Sequence, residues 1–349
     1  MSYENVHGHI PLGAVSFLNS RPLLYGLVRD PRISLQVGVP SSLAARLQND
    51  EFAAALVPIV DVLRSNGTFG VVSDGCIACD GETMTVRVFS QVPPDRITRI
   101  VGDPDSHTSV VLARVLWRAL YDRDIEIVSP SGAASDLHVR RSDETGIETP
   151  WHAEKCSGGP AYDSDDAVLL IGDKVVDPHR AGYAYEIDLG GAWRAHTGLP
   201  FVFAVWAAKT DSTIRGNKGS RIQGFEDSSI PKPDDSSEIE PANSHWENEA
   251  PAEPSREDLK GLRAILDGAR DAGVAAAASI ARKEGPAHGW PVELAERYLT
   301  RCLQYKLTPR MIEGANLFAR LAGELGLCPR DAEIDWQNAS TIEPSATPG

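Results

Sequence analysis

Three polar residues, Ser16, Asn19 and Ser20, interrupt the apolar run AVSFLNSRPLLYGL (14–27) just ahead of Arg21-Pro22. Hydroxyl and carboxamide groups at the end of a buried strand reach the carboxyl edge of a sheet, where open α/β proteins bind small molecules. A Pro-started helix after them would hold them there. Asn19 also fits an Asx-type turn. A second polar cluster, Ser106-His107-Thr108-Ser109, opens the apolar helical run VVLARVLWRALY. Free N–H groups at a helix start, three hydroxyls and the positive end of the helix dipole together favour an anion. Simple capping by Ser106 accounts for part of the same pattern. Pro40-Ser41-Ser42, ahead of LAARLQNDEF, is a weaker copy of that device, and its serines serve equally as plain caps. Asp173 follows the strand-like LLIG; it either reaches another sheet edge or closes a turn after Gly172. His107 is the acid–base candidate of the set, histidine being the usual proton shuttle, although an imidazole at a helix start often only faces water.

These residues need a scaffold, and its outline is readable. His9–Ser16 and Ser34–Val39 read as short buried strands, each followed by a helix signal; AAALVPIVDVL and FGVVSDGCIAC continue the alternation, and MTVRVFSQV alternates as a strand does. From Ile97 a second unit reads strand, turn, helix, then IEIVSP, then the buried strand DAVLLIGDKVV. LGGAWRAHTGLPFVFAVWAAK gives a short helix, a turn and an apolar strand, and the remainder, including PVELAERYLTRCLQYKLTPRMIEGANLFARLAGELGL, reads as helices. The aromatic strand Phe201–Trp206 and the tail residues Tyr298, Tyr305 and Phe318 are expected to pack in the core. Repeated βα units predict an α/β fold with mostly parallel sheets. Residues 129–164 lose periodicity and read as a surface insertion; residues 210–253 are too poor in apolar side chains to offset chain entropy and read as disordered.

With 349 residues, 42% of them hydrophobic and 24% charged, the chain is long enough for two lobes around real cores. A net charge of −15 argues against a nucleic-acid surface or an anionic-membrane patch. No apolar run approaches the ~20 residues that span a bilayer, and the first residues lack the pattern of a secretory signal. Five cysteines of uneven spacing point to a reduced, cytoplasmic compartment. Cys76 and Cys79 form a C-x-x-C pair with no second pair at zinc-site spacing, so no metal is expected.

Taken in order, several stretches resemble the chorismate dehydratases of the futalosine route to menaquinone. They are AVSFLNSRPLLYGL, VPSSLAARLQNDEFAAALVPI, GDPDSHTSVVLARVL, LLIGDKVV, DLGGAWRAHTGLPFVFAVWA and YLTRCLQYKLTPRMIEGANLFARL. The resemblance implies a two-lobed type II periplasmic-binding-protein-like fold with the ligand in a cleft between lobes. Residues 9–96 and 200–328 would form the first lobe and residues 97–199 the second. It also implies removal of water from chorismate to leave 3-[(1-carboxyvinyl)oxy]benzoate, with no cofactor, chorismate being a dicarboxylate. Asn19 and Ser106 are then the candidate catalytic residues; Ser16, Ser20, Ser41, Ser42, His107, Thr108, Ser109 and Asp173 are the candidate substrate-binding residues. A carboxylate of the substrate is a further candidate for the proton acceptor. The alternatives are the sister enzyme acting on cyclic dehypoxanthine futalosine and a non-catalytic solute-binding protein for a small carboxylate.

Overall fold

The computed structural model describes residues 9–129, 167–176, 183–210 and 256–336. The two segments read as insertions fall almost wholly outside these residues.

The first sheet grows from β1 (Ile10–Val15), whose apolar residues are buried from Pro11 onward. Parallel neighbours are β2 (Ile33–Gly38) and β3 (Ala54–Pro58). Between them lies α1 (Pro40–Gln48), and α2 (Ile59–Arg64) follows β3. Beyond α2 runs β4 (Phe69–Cys79), an eleven-residue strand buried at every position but Asp74.

The second sheet contains β5 (Val86–Ser90), β6 (Arg99–Val101), β7 (Glu126–Val128), β8 (Ala167–Ile171) and β9 (Tyr185–Asp188), ordered β7-β6-β8-β5-β9. Between β6 and β7 stands α3 (His107–Tyr121). After β9 the chain passes through α4 (Leu189–Thr197) and returns to the first sheet as β10 (Phe201–Lys209). Residues 256–336 then supply α5 (Arg256–Ala275), α6 (Ala277–Glu284), α7 (Val292–Arg297), a π-helical turn Tyr298–Cys302, β11 (Leu303–Lys306) and α8 (Pro309–Glu324). The first sheet is completed in the order β11-β4-β10-β3-β1-β2.

Both sheets are mixed. The βαβ units give parallel pairs, whereas β10 and β11 run antiparallel to β4, and β5 runs antiparallel to β8 and β9. Because β5 pairs inside the second sheet, the passage between sheets comes at residues 80–85, ahead of the boundary at 96/97 expected from sequence. The helical reading of the tail also needs a correction at LQYK, which is a strand. Leu303 and Tyr305 are buried while Gln304 and Lys306 are exposed, a two-residue alternation that a longer helical period obscured.

Two local corrections concern the candidate site. Pro22 lies inside a 3-10 helix, Leu18–Leu24, and does not start a helix. Its fixed φ suits the tighter turn, where few ladder bonds are lost. Pro40 takes the first position of α1, with Val39 before it providing no side-chain cap. Proline favours that position, so Ser41 and Ser42 are carried into the first turn.

Asp188 binds the two passages between sheets together. Its carboxylate accepts from the N–H groups of Thr83 at 3.0 Å and Met84 at 2.8 Å on the first passage, and from Gly191 at 3.0 Å as it caps α4. Beneath the sheets, Trp193, Phe201, Phe203 and Phe318 meet edge-on with ring centres 4.7–6.1 Å apart, the arrangement that aromatic quadrupoles favour.

Candidate active site

A cavity opens where the carboxyl ends of β1 and β3, the start of α3 and the first passage between sheets converge. It encloses about 560 Å³ of open space, its solvent-filled mouth included. Its polar lining comprises Asn19, Thr83, Thr85, Ser106, His107, Thr108, Ser109 and Tyr298; Phe17, Ile77, Val86, Ile171 and Phe203 contribute apolar walls. Among the described residues, no Asp, Glu, Lys or Arg lines it. An anion held here is therefore met by hydroxyl, amide, imidazole and helix-start donors.

Those donors are fixed from behind. Ser106 caps α3, its Oγ accepting from Ser109 N–H at 3.1 Å. Thr108 Oγ1 donates to the Phe203 carbonyl at 3.3 Å and accepts from Val60 N–H at 3.4 Å, tying the start of α3 to the first sheet. His107 Nδ1 lies 2.8 and 2.9 Å from the two carboxylate oxygens of Asp61 on α2. An ionised carboxylate only accepts, so Nδ1 carries the proton toward Asp61. Across the cavity, the Asn19 Oδ1 atom is buried and has no hydrogen-bond partner among the described residues. An unpartnered acceptor of this kind costs about 1–3 kcal/mol, a cost a bound donor would relieve. Tyr298 is fully buried, its hydroxyl 2.6 Å from Thr85 Oγ1. Burial pushes the phenol far above its ordinary value, so it stays a neutral donor.

The structure thus gathers Asn19, Ser106, His107, Thr108 and Ser109 around one cavity and sets the other candidates apart from it. Ser20 is fully buried and donates to the carbonyls of Val15 and Phe17, at 2.7 and 2.9 Å, closing the turn after β1. Ser16 is buried outside the lining, its Oγ without a partner among the described residues. Ser42 Oγ donates to the Val39 carbonyl at 3.0 Å; of that segment only Pro40 reaches the cavity. Asp173 lies outside the lining, its carboxylate taken up by Leu18 N–H, His288 and Trp290. Sequence reasoning missed Thr83, Thr85, Tyr298 and Asp61. Thr85 sat in a run read only as a strand, Thr83 just ahead of that run, and Tyr298 in a run read as core packing. Asp61 did leave a signal, a lone acid inside the apolar IVDVL, which a buried partner must explain.

A family model described as menaquinone biosynthesis matches residues 10–146 and 156–227, more than half of the chain. The chain belongs to that menaquinone biosynthesis family. Among curated relatives, the chorismate dehydratase of Thermus thermophilus is 27% identical over 217 residues, covering 58% of this chain and 70% of that protein. Solved structures give the fold of this family member. A protein of Archaeoglobus fulgidus superposes with a TM-score of 0.58 at 11% identity, covering 93% of this chain and all of that one. The periplasmic aliphatic sulphonate binding protein of Escherichia coli gives 0.52 at 12%, covering 95% and 98%. A Candida albicans protein described as having the generic periplasmic binding protein fold gives 0.51 at 11%, covering 90% of each chain. The menaquinone-family chain is thus of the periplasmic-binding-protein fold, and its cavity lies between the two sheets. No described helix is long and apolar enough to cross a membrane.

Proposed function

We propose that the protein is a chorismate dehydratase, a hydro-lyase that converts chorismate to 3-[(1-carboxyvinyl)oxy]benzoate and water. The single observation that carries this reading is the cavity itself: anion donors at the start of α3 and the unpartnered Asn19 Oδ1 share one chamber with apolar walls. Membership of the menaquinone biosynthesis family and the Thermus relative support it. In this reading the two sheets are two lobes, and the site is shared between them. Four free thiols, Cys76, Cys79, Cys302 and Cys328, support a cytoplasmic location.

The chemistry follows from the substrate. A proton leaves ring C3, hydroxide leaves C4, and the ring becomes aromatic. The C3–H bond is conjugated through the diene to the ring carboxylate, so the developing charge spreads into that group. The first turn of α3, with its free N–H groups and the Ser106 and Ser109 hydroxyls, holds this carboxylate and stabilises the charge as it grows. The Asn19 amide holds the departing C4 hydroxyl. The apolar walls keep the ring in place and water out, so placement supplies much of the rate. Two groups on hand can accept the C3 proton: the His107 imidazole at Nε2 and the substrate's own enolpyruvyl carboxylate.

The test is direct. Purified protein mixed with chorismate should yield the benzoate product by chromatography and mass spectrometry. Chorismate that binds yet persists unchanged for hours would leave a binding protein rather than a lyase.

A further inference from the structure

Asp173 follows β8 of the second sheet, and the partners of its carboxylate come from the 3-10 helix after β1 of the first sheet and from the turn between α6 and α7. Leu18 N–H donates to it at 3.2 Å, Trp290 Nε1–H at 2.8 Å and His288 Nδ1 at 2.8 Å. The turn carrying Asp173 is itself fixed: Lys174 Nζ lies 2.7 Å from Asp103 and 2.5 Å from Asp105, in the loop that leads into Ser106. Asp103 in turn accepts from Ile171 N–H at 3.2 Å.

These contacts converge on one residue. Leu18 precedes Asn19 in the chain. On the other flank, Arg21 Nη2 lies 3.3 Å from His288 Nε2, and Arg21 Nε lies 3.3 Å from Glu284. Arginine only donates, so His288 carries its proton on Nδ1, toward Asp173, and accepts from Arg21 at Nε2. The side chain of His288 is 8% exposed, which keeps this relay away from water. A third connection runs through Trp290, whose indole stacks on the Tyr298 ring at 4.6 Å and 9°; the Tyr298 hydroxyl bonds Thr85, and both line the same cavity as Asn19.

From this geometry we infer that Asp173 is a positioning residue for Asn19, fixing the turn on both flanks of the amide and, through Trp290, the Tyr298 ring that lines the cavity with it. This rests on the dehydratase reading for its kinetic consequence, since Asn19 is there the group that holds the leaving hydroxyl. It assigns Asp173 a role without substrate contact, and it makes correct placement of Asn19 conditional on the second sheet being seated against the first.

The experiment pairs steady-state kinetics on chorismate with hydrogen exchange in the absence of any ligand, on the full chain and its Asp173→Asn and Trp290→Phe variants. Asp173→Asn keeps the shape but turns an amide N–H₂ toward the donors. It should lower kcat by tenfold or more with KM within about threefold, the signature of lost orientation, and speed exchange in peptides covering 17–22 while those of α8 are unchanged. Trp290→Phe keeps the ring stack and loses one donor, so a smaller fall in kcat is expected. An unchanged kcat in Asp173→Asn, or exchange that quickens equally throughout the chain, overturns the inference. Should the unmodified protein fail to turn over chorismate, the dehydratase reading falls. The exchange data alone then decide the hold on the turn: faster exchange confined to 17–22 sustains it, and no local change overturns it.

Discussion

His107 on α3 and Asp61 on α2 form a pair, Nδ1 to Oδ1 at 2.8 Å, with Asp61 buried and His107 reaching the cavity wall. The pair couples the anion-facing helix start to the first sheet and directs Nε2 as the ring's remaining nitrogen. Replacing His107 by Gln tests whether that nitrogen takes the C3 proton. Because the substrate brings its own acceptor, kcat should stay within about tenfold of the original. A loss of 10²–10⁴-fold, the usual range for removing a general base, would assign the proton to the imidazole.

Asn19→Ala should lower kcat far more than it raises KM, because the amide acts on a group that departs during reaction. Ser106→Ala should do the reverse and weaken product binding by about 1–3 kcal/mol, the range for a charged acceptor left short of a donor. Isothermal titration with product, alongside initial rates, separates the two.

Lys174 gives a pH test. Burial works to lower its pKa, but Asp103 and Asp105 outweigh that and hold the ammonium above its ordinary value. A raised pKa in the folded state means the contribution is whole below the ordinary lysine value and is lost as pH climbs through the raised one. Lys174→Met leaves the buried Asp103 uncompensated and should cost about 3 kcal/mol at neutral pH. Thermal melts should show a constant gap between the two proteins up to about pH 10, and a shrinking one above it.

Gly172 has φ +61°, and a Cβ built there would lie 2.8 Å from the Phe17 ring. Gly172→Ala should therefore destabilise by about 1–3 kcal/mol. Since Phe17 lines the cavity, a rise in KM should accompany the lower melting temperature.

The parts legible from sequence were those with local causes. The strand of Ile10–Val15 and the helix of His107–Tyr121 announced themselves by period, and the Ser106 cap by residue type. What escaped was set by distant partners. Ser20 carries the hydroxyl of a site residue, yet the Val15 and Phe17 carbonyls claim it. Asp173 follows a sheet edge as expected, but three donors, from the 3-10 helix after β1 and the turn between α6 and α7, occupy it. Tyr298 reads as packing because it is packing on one face, against Trp290; its hydroxyl end is what enters the chamber. Strand β11 was hidden because four residues are too few to override a helical pattern on both sides.

Among the described residues the chamber wall has no side chain of fixed charge, while the whole chain carries −15. A dianion approaching from solution is repelled by the protein at long range and attracted only within a few ångströms, at the helix start. Added salt shortens the reach of the repulsion to ~8 Å at physiological strength and leaves the short-range grip nearly intact. Encounter with such a molecule should then quicken as ionic strength rises, opposite to enzymes that draw anions in with arginine and lysine.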